Sequence, residues 1–472
     1  MTTFRFLRPS AASAFALALV AAASAQRPTN VPSLSSRPGA AYTMYLDFAG
    51  FDFTGDWGGD AASPTVKTYA PFRSAAAGFT AAQQSDIATI YARLAEKYSA
   101  FGINVTTVDP AAAGLSDKQR QAYYDSQAGV MHSVISPTDS PGDNYSSGGV
   151  SYVGVTPNAQ TTTQNGGASR GYHTNFVSTP AAPTYENAFN LKSTAEVIAH
   201  EDGHGLGLNH QSDYSGTTEV REYSSNFNDS NQGFSVGSAT NKSFAPIMGT
   251  SMYDQRGLWR SGTIQQGSTG TTVAMQNDVT KIYSDARMGG PVEDGIGNSF
   301  LTATSLVTNG GTVVSSLMKG IVVPTSATSG PLGASSYQGG YYKFFSDGLS
   351  AVSLRATNGS SFLQAGVADP GMTLENSLSI FDGDFNLIGT GTEDSLTRWT
   401  QFDRLLGAGT YYAFITSTGG FVSATDSRNG YYNMGSYFLS GSGFAAAPVP
   451  EPATLAALGV GALAVLRRRR RV

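Results

Sequence analysis

Between Thr80 and Phe101 the run "TAAQQSDIATIYARLAEKYSAF" repeats its apolar positions three or four residues apart. Ile87, Ile90, Tyr91, Leu94, Tyr98 and Phe101 then share one stripe of a helix. Thr80, with Gln83 three residues on, supplies a capping box for its start. "AYTMYLDF" (41–48) alternates instead and is rich in aromatics, the pattern of a strand. "GINVTTV" (102–108) follows the helix directly, and "GVMHSVI" (129–135) and "GGVSYVGV" (148–155) are two further strand candidates. Strand–helix–strand grammar of this kind predicts an α+β domain over residues 41–288.

After "PVEDGIGNSF" (291–300) no long helical stripe recurs. Short β-branched and aromatic runs alternate with Gly, Asn and Asp turns, as in "GGYYKFFS", "NSLSIFDGDFNLIGTGT" and "AGTYYAFITST". Residues 289–445 therefore read as an all-β sandwich. Asp294, Asp382 and Asp384 are candidate calcium ligands there, against the commoner role of aspartate in turns.

Both ends read as addresses. "MTTFRFLRPSAASAFALALVAAASAQ" places Arg5 and Arg8 before an apolar run and ends in Ala23-Ser24-Ala25. That order predicts a secretory signal peptide over residues 1–25. A Pro/Ser linker is expected over 26–40. The far end (446–472) contains an apolar stretch from Ala453 to Leu466, short of the roughly 20 residues of a full span. Arg467 to Arg471 would hold its end in the cytoplasm.

Composition narrows the class. Charged residues are only 13% of the chain, with 55 glycines and 23 tyrosines, which suits an extracellular, strand-rich protein. A net charge of -5 leaves no basic face for nucleic acid. There is no cysteine, so disulfides, thiolate nucleophiles and Cys-ligated zinc are excluded.

Three of the five histidines stand in "STAEVIAHEDGHGLGLNHQSDY" (193–214). His200 and His204, four apart, share a helix face, and Ser193 with Glu196 offers a capping box for a helix carrying both. His210 would complete three protein ligands, leaving a position open for water, as in catalytic zinc sites. Gly207 supplies the permissive backbone for the reversal that brings His210 back. Glu201 is offset around the helix, where its carboxylate can take a proton from water activated by the metal. Asp202, rotated about 100° further, is expected to be solvated. His132 and His173 lie outside the motif and are read as core or surface residues.

This H-E-x-x-H-x-x-G-x-x-H segment resembles that of the metzincin clan of zinc endopeptidases. The resemblance implies a methionine turn beneath the metal, and "FAPIMGTSMYDQRGLW" (244–259) fits, with Met248 rather than Met252 at the turn. Some metzincins carry a tyrosine two residues after that methionine as a switchable ligand; here Thr250 holds the position and Tyr253 stands further on. Residues 41–288 are also similar to secreted bacterial reprolysin-like peptidases, which implies that the strand near Val150 to Val155 forms the upper edge of a substrate cleft. "DGIGNSFLTATSL", "LSIFDGDFNLI" and "LGAGTYYAFI" resemble the bacterial pre-peptidase C-terminal domain, a β-sandwich appended to secreted peptidases. Pro450, Glu451 and Pro452, the apolar stretch and the arginine cluster resemble a PEP-CTERM sorting signal. That implies an exosortase-type membrane enzyme as partner, transient membrane association through the tail, and delivery to the surface, outer membrane or matrix of a Gram-negative-type bacterium.

These readings predict an exported zinc endopeptidase acting on a protein or peptide, with Zn2+ on the three histidines and Glu201 as general base. The alternative is a surface or extracellular-matrix adhesion protein with a structural or vestigial metal site, favoured by the glycine-rich, low-charge composition and the sorting tail. A carbohydrate-binding role for the β-rich half would leave the histidine segment unexplained.

Overall fold

The apolar stripe beginning at Ile87 forms α1 (Ala81–Lys97) in the computed structural model of the chain. Thr80 caps it as its sequence predicts. Its side chain accepts the Gln83 N–H while the Gln83 side chain accepts the Thr80 N–H, closing two of the donors a helix start leaves open. The structure describes residues 27–57, 63–75, 78–138, 148–179, 188–224, 244–264, 273–324, 337–363, 369, 371–394, 397–418 and 430–446. The predicted signal peptide and Pro450, Glu451 and Pro452 lie outside these, as does the apolar tail. Among the described residues no helix is long and apolar enough to cross a membrane.

The chain is mixed α+β, with many strands and few helices. Its first sheet runs Ile103–Thr106, Tyr42–Asp47, Val130–Ser136, Thr174–Ser178, Gly149–Val150. The first four strands are parallel and the last is antiparallel. Parallel neighbours need crossovers, and α1 and α2 (Asp117–Ser126) supply two of them. Alternation sorts the faces: Met44, Leu46, Met131 and Val177 join the core under α1 and α3 (Ala188–Gly205). Tyr45, Val134 and Phe176 pack on the other face with Tyr124 of α2.

Two readings need correction. "GGVSYVGV" yields only the strand Gly149–Val150. Beyond it, the Gly154 and Thr156 N–H groups bond the His204 and Gly205 carbonyls, so this stretch satisfies the end of α3 rather than extending the sheet. The predicted linker is also structured. Ser36 N–H bonds the Val105 carbonyl, Thr107 N–H bonds the Leu34 carbonyl, and Ser35 bridges Thr106, so residues 34–36 lie along the free edge of Ile103–Thr106. An edge strand's unpaired amides are what this segment finds there.

The expected all-β region forms two large sheets, a two-stranded one (Thr308–Asn309 with Thr312–Val313) and a short helix, Gly359–Leu363. One contains Gly340–Asp347, Ala408–Ser417 and Asn376–Phe381; the other contains Lys319–Pro324, Gly435–Ser442 and Ala351–Asn358. Val322, Leu354, Leu378, Ile380, Ile415 and Leu439, drawn from both sheets, fill the layer between. This half does not hang from the first. Ile321, Val323, Tyr431, Tyr432 and Met434 belong to the same apolar core as α1 and α3, and Tyr431–Tyr432 pairs with the strand Arg256–Ile264.

The polar contacts across this junction are buried. Arg93 holds Asp369 through two bonds of 3.1 and 2.9 Å. Glu96 accepts the backbone N–H groups of Ser360, Thr373 and Leu374, and Arg256 donates to the Met372 and Thr373 carbonyls. Buried charges persist only where such partners satisfy them.

Candidate metal centre

The helix carrying the motif begins earlier than Ser193, at Ala188. Glu196 is not free to cap a start at Ser193. It pairs with Lys97 at 2.8 Å, accepts the Ser251 hydroxyl and lies 3.6 Å from Lys192, all within the core. From Thr194 to Leu206 every residue of the segment is buried. That corrects Asp202: the helix has no wet face for it to occupy. Its Oδ1 instead accepts Ser133 Oγ and Asn175 Nδ2, each at 2.7 Å, and burial raises its pKa to about 6.

Gly207 ends α3 as the motif spacing predicts. Its φ is +96°, a left-handed conformation that side-chain-bearing residues rarely adopt. Gly207 N–H bonds the His204 carbonyl and Leu208 N–H bonds the Gly203 carbonyl, the paired bonds of a Schellman cap. The reversal returns His210 beside His204. Any side chain at position 207 would also press on Lys281, whose Cε would stand 3.2 Å from its Cβ.

The three histidines converge, with ligand atoms all within 4.8 Å of one another, and such a group can hold a metal ion. Their hydrogen bonds fix which nitrogen faces inward. His200 Nδ1 donates to the Ile247 carbonyl (2.8 Å), His204 Nδ1 to the Leu208 carbonyl (2.7 Å), and His210 Nδ1 to the Glu222 carboxylate (3.0 Å). Each Nδ1 therefore carries a proton, and in the neutral imidazole the Nε2 is left to accept. His204 Nε2 and His210 Nε2 stand 3.0 Å apart. That spacing is close enough for the pair to share either a proton or a bound cation, so the three imidazoles can hold a metal ion that takes nitrogen ligands. Burial lowers the His204 pKa to about 4 and that of His200 well below the usual range, keeping both imidazoles neutral, as ligation requires.

Glu201 is 5% exposed, and burial followed by the Asp202 charge raises its carboxyl well above the usual range. Gly149 stands directly against it: a Cβ there would lie 2.6 Å from Glu201 Cγ. Met248 is fully buried beneath α3, where a Cβ on Gly203 would meet its sulfur at 2.6 Å. Its carbonyl accepts the Gln211 N–H, next to His210. Met252 instead packs at the edge of the core, and Tyr253 is 59% exposed.

Two residues at this site escaped the sequence reading. Glu222 orients His210, and the Tyr223 ring lies 4.4 Å from the His210 ring and 6.2 Å from that of His200. No spacing rule marks a carboxylate twelve residues beyond its histidine; the return of the chain brings them together. Removing a carboxylate that orients a ligand histidine weakens metal binding about 10–100-fold. Glu222→Ala is expected to do so in a chelator competition while leaving the fold intact, since its side chain is 45% exposed.

The remaining candidates stand elsewhere. His132 and His173 are both fully buried; His132 bonds Asp47 and Thr174, and His173 bonds the Val155 and Asn158 carbonyls. Asp294 accepts the Ile296 and Ile321 N–H groups, and Asp382 accepts those of Asp384 and Asn386, both acting as turn formers. Among the described residues the three motif histidines are the one group of its kind.

No curated protein matches the chain. Residues 448–471, which contain Pro450, Glu451 and Pro452, match the PEP-CTERM protein-sorting motif. That tail indicates export, recognition by an exosortase-type sorting enzyme, and sorting to the cell surface of a Gram-negative bacterium.

Proposed function

We propose that the chain is an exported, metzincin-like zinc endopeptidase. The observation that carries this reading is the convergence of three imidazoles beside a buried glutamate. His200, His204 and His210 would hold the ion, which when bound polarises the scissile carbonyl and makes water acidic enough to deprotonate near neutral pH. Glu201 accepts the proton of the attacking water. As the new C–O bond forms and the C–N bond breaks, Glu201 passes that proton to the departing amine. The Gly149–Val150 strand, bare of a side chain where it meets Glu201, pairs with an extended substrate backbone and sets the scissile bond over the base. The sorting tail would be removed on delivery to the surface.

The test is zinc content and cleavage of an unfolded protein such as casein by the purified exported chain. One zinc per chain with chelator-sensitive cleavage is expected. Zinc without cleavage of any unfolded protein favours the surface-adhesion reading, and absence of zinc sinks the peptidase.

A further inference from the structure

Beside the reversal at Gly207 the chain encloses a cavity of about 290 Å3, close to the smallest volumes at which small-molecule sites occur. Two bare backbones form one wall. Gly154 (φ +71°) and Gly207 (φ +96°) approach so closely that a Cβ on Gly207 would stand 3.7 Å from the Gly154 Cα. The buried side chains of Leu206 and Ile282 supply apolar surface. Lys281, on α4 (Asp278–Tyr283), brings its Cε to 3.2 Å and its Nζ to 3.8 Å from the same Cβ position. Among the described residues that ammonium has no hydrogen-bond or ion-pair partner, and Lys281 is exposed, so an entering anion meets it without first breaking a pair. The other charges here cancel. Asp285 also lines the cavity, but Arg287 at 3.0 Å and the Tyr42 hydroxyl occupy its carboxylate and hold its pKa down to about 2.

We propose that this cavity binds a small carboxylate with a short apolar tail, its charge on Lys281 and its tail on Leu206 and Ile282. A phosphate dianion would bring a second charge and no apolar surface, and a neutral ligand would leave the ammonium unmatched. A free short-chain acid and the C-terminal end of a peptide with an aliphatic last residue share the required chemistry. An occupant would also be felt at the metal centre. Gly154 and Gly207 both donate their N–H groups to the His204 carbonyl, each at 2.8 Å. A ligand packed on those two backbones braces the turn that brings His204 and His210 together. It therefore raises affinity for the ion, and the ion raises affinity for the acid by the same factor. That coupling rests on the zinc reading; the binding site stands without it.

Calorimetric titration of the purified exported chain with isovalerate and with N-acetyl-leucine tests the site, with the corresponding neutral amides as controls. Both acids are expected to bind the wild type and Lys281→Arg, and neither amide is. Lys281→Gln, at an exposed position, is expected to fold normally and to bind the acids about tenfold more weakly, the size of one charge-assisted contact. Titrations with and without zinc separate this site from direct contact of a carboxylate with the metal, which the Gln variant would retain. Tighter binding of N-acetyl-leucine makes a peptide end the occupant, and tighter binding of isovalerate a free acid. Absence of binding, equal binding of the amides, or undiminished binding by Lys281→Gln would overturn the proposal. In a chelator competition, N-acetyl-leucine is expected to tighten zinc binding in the wild type and not in Lys281→Gln; an unchanged zinc affinity would overturn the coupling. A chain that binds the acids through Lys281 yet cleaves no unfolded protein removes the peptidase reading and leaves this site in place.

Discussion

Replacing Glu201 with glutamine is expected to lower peptide hydrolysis by about 10²–10⁴-fold, the range for a lost general base, while zinc content stays at one per chain. Glutamine keeps the shape of glutamate, and shape matters here because the side chain fills the space against Gly149. What it cannot do is carry a proton from water to an amine. Single-turnover cleavage of an unstructured fluorogenic peptide, with metal analysis on the same sample, checks both halves. Retained activity would move the base elsewhere. Lost zinc would make Glu201 a ligand, against the separate convergence of the three imidazoles.

The second large effect lies far from the metal. Arg93→Ala leaves Asp369 as a charge with no exposed surface and without its bidentate partner. Burial alone would raise the Asp369 pKa, but Arg93, helped by hydrogen bonds from Ser360 and Gly371, outweighs it and holds the carboxyl below its ordinary value. Breaking one partner of such a pair costs about 3–5 kcal/mol. That is a large share of the stability of an ordinary folded protein. Urea denaturation, followed by signals from both halves, is expected to shift to lower midpoints as one transition. The double variant Arg93→Ala/Asp369→Ala is expected to recover part of the loss, because no orphaned charge remains. Two separate transitions in the wild type would mean that the halves fold independently despite their shared core.

Local signals carried far in this chain. The Thr80–Gln83 cap and the stripe from Ile87 to Phe101 are properties of neighbouring residues, and α1 follows them. The histidine spacing was equally legible, because helix geometry and a left-handed Gly207 suffice to bring three imidazoles together. The sequence misled wherever a distant partner outbid a local one. Ser193 and Glu196 look like a helix start until Lys97 claims the glutamate. Asp202 looks solvated until Ser133 and Asn175 arrive from the sheet. Glu222 and Tyr223 had no local mark at all, since their meaning comes only from the chain's return to His210. The seam between the halves was hidden for the same reason. A change in texture near residue 291 marks where β-rich sequence begins, not how deeply Arg256 and Glu96 reach across.

The strap of residues 34–36 gives the first sheet two unlike borders. Along Ile103–Thr106 the backbone is already taken, so another chain cannot add a strand there. Gly149–Val150, at the far border, ends the sheet beside Glu201. On the peptidase reading, an extended chain that recruits itself to this sheet by backbone pairing is steered to the border where it can be cut. For a protein delivered to a crowded cell surface, that asymmetry turns the ordinary stickiness of a strand edge into a filter: contacts that would otherwise seed clumping are either blocked or routed to hydrolysis.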